Sequence, residues 1–258
     1  MEQQMMISYG ALRIPCKLTA PDDGDIRRVV LGVHGLGGST TDDIQSALAE
    51  EMELFCSAVM RFDFPAHGES PMDSSDLTLE NCVDSLLAVA QKARTLYPQV
   101  EDLCIFATGF GAYVTLIAMD ELLEMPGTVK LVVQTPSVLM HKTLLAMKNM
   151  TLPTLRAMGK ATFRAKRPFD VTYSFYQELE ENLALAAYPL PILILHGEED
   201  SYIPMEDILN FRRLNERSKL VIIPGVSHRF LEDGAWDMVL DLTRDWFTCE
   251  QVILADWI

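Results

Sequence analysis

No run of about 18 uninterrupted apolar residues occurs in these 258 residues, so the sequence predicts no membrane-spanning helix. Cysteine is sparse: Cys16, Cys56, Cys82, Cys104 and Cys249 are odd in number and widely scattered. None forms a C-x-x-C pair, which argues against a disulfide framework and against a zinc site. No metal and no cofactor is expected, and a reducing cytoplasm is the simplest home. Positive charge is also short, with 21 Lys and Arg against 37 Asp and Glu, a formal net charge of −16. Such a surface repels nucleic acid and anionic membranes, so neither is expected as a partner. The N-terminus, Met1-Glu2-Gln3-Gln4-Met5, lacks the basic-then-apolar pattern of a signal peptide. Internal repeats and low-complexity tracts are missing as well.

What is present is apolar content of 49%, enough for a sizeable core. Strand and helix patterns alternate, which predicts an α/β fold with a mostly parallel sheet covered on both faces. The candidate strands are Gly10–Leu18, Val29–His34, Ser57–Phe62, Leu103–Ala107, Lys130–Gln134, Ile192–His196 and Lys219–Ile223. The later ones are short and rich in Val, Ile and Leu, as for strands buried on both faces. Helical patterns cover Thr41–Leu54 (after the candidate caps Ser39 and Thr40), Thr78–Tyr97, Ala112–Glu124, Met205–Asn215 (with Pro204 as a first-turn proline) and Asp233–Thr248. The whole of 1–258 reads as one domain. The interval 139–189 breaks the alternation. It predicts two or three short helices and no convincing strand, with Met140, Met147, Met150, Met158 and a basic cluster at Arg164, Lys166 and Arg167. It is expected to form a helical lid over the end of the sheet. About half of its methionines serve as core filler, and the others suit an adaptable pocket.

Four segments carry candidate chemistry. The first is His34-Gly35-Leu36-Gly37-Gly38, directly after a strand. The second is Arg61-Phe62-Asp63-Phe64-Pro65-Ala66-His67-Gly68-Glu69-Ser70, where Arg61 and Asp63 are read as fixing loops, His67 as structural and Ser70 as no nucleophile. The third is Ala107-Thr108-Gly109-Phe110-Gly111, a strand, a tight glycine turn and a helix: the context of a G-x-S-x-G nucleophile elbow with glycine where serine belongs. The fourth joins His196-Gly197-Glu198-Glu199-Asp200 to Ile223-Pro224-Gly225-Val226-Ser227-His228, each following a strand. Asp200 and His228 are the candidate acid and base, and Glu199 is read as a solvated loop carboxylate.

Together these segments resemble the α/β-hydrolase family over nearly the whole chain, with Ala66 in place of the usual first glycine of the second segment. The resemblance implies a mostly parallel sheet flanked by helices, and the chain order nucleophile, acid, base: Gly109, Asp200, His228. It also implies an oxyanion hole from the N–H groups of Leu36 and Phe110. The stretch Phe169–Leu179 is similar to the lid end of small bacterial carboxylesterases, the cinnamoyl (feruloyl) esterases and monoacylglycerol-lipase-like enzymes. That likeness implies a small acyl or aromatic ligand as partner.

An acyl-enzyme step needs a side-chain oxygen or sulfur, and Gly109 has neither. Three readings stay open. The chain is a degenerate esterase that binds ligand without turnover, or it uses the His228–Asp200 pair as a base without a covalent step, or its glycine was introduced by design in place of a natural serine.

Overall fold

The structure, a computed structural model, describes residues 2–22 and 25–249. An antiparallel hairpin of β1 (Glu2–Tyr9) and β2 (Leu12–Thr19) opens the sheet, turning at Gly10, whose φ is +54°. Six parallel strands continue it: β3 (Arg28–Val33), β4 (Ser57–Phe62), β5 (Asp102–Thr108), β6 (Thr128–Gln134), β9 (Ile192–Gly197) and β10 (Lys219–Ile223). The eight strands lie in the order β1-β2-β4-β3-β5-β6-β9-β10. The α/β class with a mostly parallel sheet is thus the observed architecture.

The strands β3 to β6 and β9 are nearly continuous in buried apolar residues because both faces are covered. On one face Val30, Cys104, Phe106 and Leu193 pack with α1 (Asp43–Leu54) and α9 (Ala235–Thr248). On the other, Leu31, Val33, Ile105 and Ile194 pack with α2 (Leu79–Leu96), α3 (Phe110–Ile117), α4 (Met119–Glu124) and α8 (Met205–Leu214). Burying about 25 cal/mol per Å² of apolar surface on each face is what drives this layering.

Several sequence expectations need correction. Strand β1 was not foreseen, because an edge strand of mostly exposed residues carries no apolar alternation. Ser39 and Thr40 do not cap α1. Asp42 holds that place, and its carboxylate accepts the N–H and hydroxyl of Ser39 at 3.0 and 3.1 Å instead. Thr78 does cap α2, accepting the N–H of Asn81 at 3.1 Å. Pro204 is itself the N-cap of α8 and not its first helical residue. The helix expected over Ala112–Glu124 starts at Phe110 and breaks at Ala118.

The interval 139–189 holds α5 (Met140–Lys148), α6 (Leu152–Met158) and α7 (Tyr173–Glu181). It also holds a hairpin that the sequence reading missed, β7 (Lys160–Phe163) with β8 (Phe169–Thr172). Of its methionines, Met140 is buried, Met147 and Met150 pack against the core, and Met158 is exposed. The basic cluster ties this segment down. Arg167 donates to the carbonyls of Ser70 and Met72, and Lys166 Nζ donates to Thr41 Oγ1 at 3.0 Å. At the far end Glu178 accepts the Leu79 N–H at 2.7 Å, a carboxylate on the N-terminus of α2.

Candidate active site

The elbow is built by the backbone. Gly109 follows β5 and caps α3 with φ +49° and ψ −109°, a conformation that strains L-residues and that glycine accepts. Its N–H donates to Gln134 O at 3.0 Å, and its carbonyl accepts the Tyr113 N–H at 3.2 Å. Gly109 is buried, yet a Cβ placed on it would meet no atom within 4 Å. Gly111 is the opposite case: a Cβ there would stand 2.5 Å from His34 O and 2.6 Å from Val33 O. Only glycine lets α3 approach β3 this closely.

Two N–H groups flank the elbow. Gly35 to Gly38 form a turn closed by Gly38 N–H to Gly35 O at 3.0 Å, with Gly37 at φ +81°. A type II turn requires that positive φ and leaves its second residue, Leu36, with a free N–H. Phe110 is the first helical residue of α3, where the helix itself offers the N–H no acceptor. Among the described residues neither N–H has a hydrogen-bond partner. Other nucleophiles are poorly placed. Cys104 is fully buried, and burial pushes its thiol up to about 12. Ser70 is buried on a loop, its hydroxyl accepting the Met72 N–H at 3.3 Å.

The acid and base come together. His228 Nδ1 lies 2.7 Å from Asp200 Oδ2. The other carboxylate oxygen accepts the N–H groups of Tyr202 and Ile203 at 2.9 and 3.0 Å. An ionised carboxylate only accepts, so this geometry puts a ring proton on Nδ1, and in the neutral imidazole Nε2 then carries the lone pair. Burial alone would raise the Asp200 pKa. The His228 hydrogen bond and charge, together with the two N–H bonds, outweigh it and hold the carboxyl below its ordinary value. The Asp200 side chain is fully buried, while that of His228 keeps 16% of its surface exposed. The Tyr202 ring stands edge-on to the imidazole at 5.1 Å. The two loops are stitched by Glu198 N–H to Ile223 O at 3.0 Å and Glu199 N–H to Val226 O at 2.9 Å. Glu199 itself is exposed.

Sequence reasoning passed over His196. It is buried at the end of β9, with Nδ1 4.0 Å from Asp200 Oδ2, and burial lowers its pKa. Its place four residues before Asp200, on the strand that presents the acid, was the available signal.

The second segment is scaffolding. Asp63 accepts the Thr40 N–H at 2.7 Å and the Glu69 N–H at 2.8 Å, pinning both flanking loops. Arg61 is buried against Thr40 O, Thr19 Oγ1 and the Glu2 carboxylate. Ala66 has φ +65°, which is why glycine is usual there. His34 Nε2 accepts the Phe64 N–H at 3.2 Å and Nδ1 pairs with Gly35 O at 2.8 Å. His67 Nδ1 pairs with Pro65 O at 2.8 Å, and burial, with His34 adding to it, pushes its pKa down to about 3. Beside these loops lies a cavity of about 200 Å³ lined by Gly37, Thr41, Asp63, His67, Glu69 and Lys166, among others; neither Gly109 nor His228 lines it. Among the described residues no cluster of metal-ligating side chains is found, and no helix is long and apolar enough to cross a membrane.

Solved structures share this fold. Est1E from Butyrivibrio proteoclasticus, seen with bound ferulic acid, is 20% identical with a TM-score of 0.77, over 93% of this chain and 96% of that one. Alpha/beta hydrolase domain-containing protein 10 from mouse is 16% identical with a TM-score of 0.74, over 94% and 97%. Dienelactone hydrolase from Anabaena variabilis is 19% identical with a TM-score of 0.64, over 96% of each chain. No curated protein matches the sequence. The profile described as "Alpha/beta hydrolase family" matches residues 30–242, most of the length, and the chain belongs to that family.

Proposed function

We infer that this protein descends from carboxylesterases and binds a small acyl or aromatic ligand beneath segment 139–189, which serves as a lid, without forming an acyl-enzyme. The observation that carries the reading is Gly109: the backbone of a nucleophile elbow, with φ +49° and ψ −109°, and no side chain to attack a carbonyl. In this reading Asp200 and His228 stand at the acid and base positions, and Leu36 and Phe110 supply the N–H pair that would face an oxyanion. The likeness to Est1E, which holds ferulic acid, supports an aromatic acyl ligand. Cys16, Cys56, Cys82 and Cys104 are free thiols in the structure, in keeping with a cytoplasmic home. A second reading is favoured by the 2.7 Å bond between His228 and Asp200. With its tautomer held, His228 can act as a general base on water or on a substrate proton, with no covalent step.

The test is a gain of function. Wild-type protein should bind p-nitrophenyl butyrate, read as a rise in melting temperature, and hydrolyse it barely above buffer. Gly109→Ser should hydrolyse it faster by orders of magnitude, since loss of a triad nucleophile costs about 10⁶ in turnover. The double variant Gly109→Ser with His228→Ala should lose that gain. A folded Gly109→Ser variant inert to esters overturns the dormant-triad reading.

A further inference from the structure

We propose that the protein, as it stands, transfers acyl groups to small alcohols that take the place of the missing hydroxymethyl group at Gly109. This rests on the reading that His228 and the N–H groups of Leu36 and Phe110 face Gly109. Two observations point to it. A Cβ on buried Gly109 would meet nothing within 4 Å, so the space that a serine side chain would use is open to an occupant. Methanol consists of the same carbon and oxygen as that side chain. The other observation is that the base is already set: Asp200 holds Nδ1 of His228 at 2.7 Å, and His228 remains partly exposed.

The step balances without a cofactor. The alcohol O–H gives its proton to His228 Nε2 as its oxygen bonds the ester carbonyl carbon. The negative charge moves to the carbonyl oxygen, where the two N–H groups receive it. Collapse breaks the bond to the leaving alkoxide, which takes the proton back from His228. One ester and one alcohol yield a new ester and a new alcohol. A serine side chain has a single carbon, so methanol matches the space it would use, and ethanol and 2-propanol exceed it by one and two carbons.

The rate has a ceiling. A tethered nucleophile has an effective molarity of about 10⁵ M or more, so about 1 M methanol should reach at most about 10⁻⁵ of the Gly109→Ser rate. The test follows methyl ester formation from p-nitrophenyl butyrate by gas chromatography. With wild-type protein, raising methanol from zero to about 1 M should raise p-nitrophenol release severalfold and at most about tenfold over the methanol-free protein, the ratio of that ceiling to the roughly 10⁻⁶ left without a nucleophile. The product should be methyl butyrate, and the response should fall from methanol to ethanol to 2-propanol. His228→Ala should abolish it. Gly109→Ala, checked for folding by its melting curve, should also abolish it by filling the space; the alcohol series on unaltered protein is decisive if that variant does not fold. A response no greater than in buffer, one that survives His228→Ala, or one indifferent to alcohol size overturns the proposal. If Gly109→Ser gains esterase activity while wild-type protein ignores methanol, the inference fails and the reading beneath it stands. If neither is active, both fail.

Discussion

The two halves of the site are built alike and equipped differently. In each, a glycine lets two pieces of backbone meet. A Cβ on Gly111 would stand 2.5 Å from His34 O, and one on Gly197 would stand 2.3 Å from Val226 O. In each, a loop leaves the carboxyl end of a parallel strand, where ligands bind in open α/β sheets. The half around β9 and β10 carries a bonded acid–imidazole pair, Asp200 and His228, at 2.7 Å. The half around β3 and β5 carries shape alone: a turn, an elbow and two unpartnered N–H groups. Geometry and chemistry are therefore separable in this fold. Close-approach glycines set the geometry, and single side chains add the chemistry. The imidazoles divide the same way. His34 and His67 fill space between loops on the elbow side, while His228 is held by a carboxylate with its other nitrogen free.

The comparison can be broken at its reactive end first. In a Gly109→Ser background, Asp200→Asn should lower ester turnover about 10⁴-fold, because the amide no longer fixes the tautomer of His228. Unchanged turnover would mean that the pair is structural. The close approaches come next. Gly111→Ala and Gly197→Ala should each cost about 3 kcal/mol in urea denaturation, since the added carbon meets backbone oxygens that cannot swing aside. Costs below about 1 kcal/mol would show loops that give way easily.

The smallest effect sharpens the contrast between imidazoles. His67 stays neutral in the fold down to about pH 3, whereas in the unfolded chain it takes up a proton below about pH 6.5. The unfolded state then binds more protons, so stability falls as pH falls by about 1.4 kcal/mol per unit. Between pH 7 and pH 5, wild-type protein should lose about 2 kcal/mol more than His67→Gln. Parallel pH profiles would refute the filler role.

Much of the architecture was legible because buried parallel strands announce themselves. Ser57–Phe62, buried throughout, has the bounds that its apolar run predicts, and so does the edge strand Lys219–Ile223, of which only Ile223 is buried. Strand β1 was hidden because its residues face water, and β7 and β8 because four residues each are too few to set a period. The break at Ala118 carries no glycine or proline to mark it. In the site, Asp200 and His228 stood out by following strands, and the structure brings them into contact. His196 did not, since a histidine inside an apolar strand reads as part of the run until the fold turns it toward Asp200.

In the proposed reading the site is complete except for its nucleophile. Treatment with a fluorophosphonate, read by intact-protein mass, tests it most directly. The wild-type chain should take up no adduct and Gly109→Ser a single one, lost again when His228→Ala is added. An adduct on the wild-type chain at any residue, or a folded Gly109→Ser variant that takes up none, would contradict it.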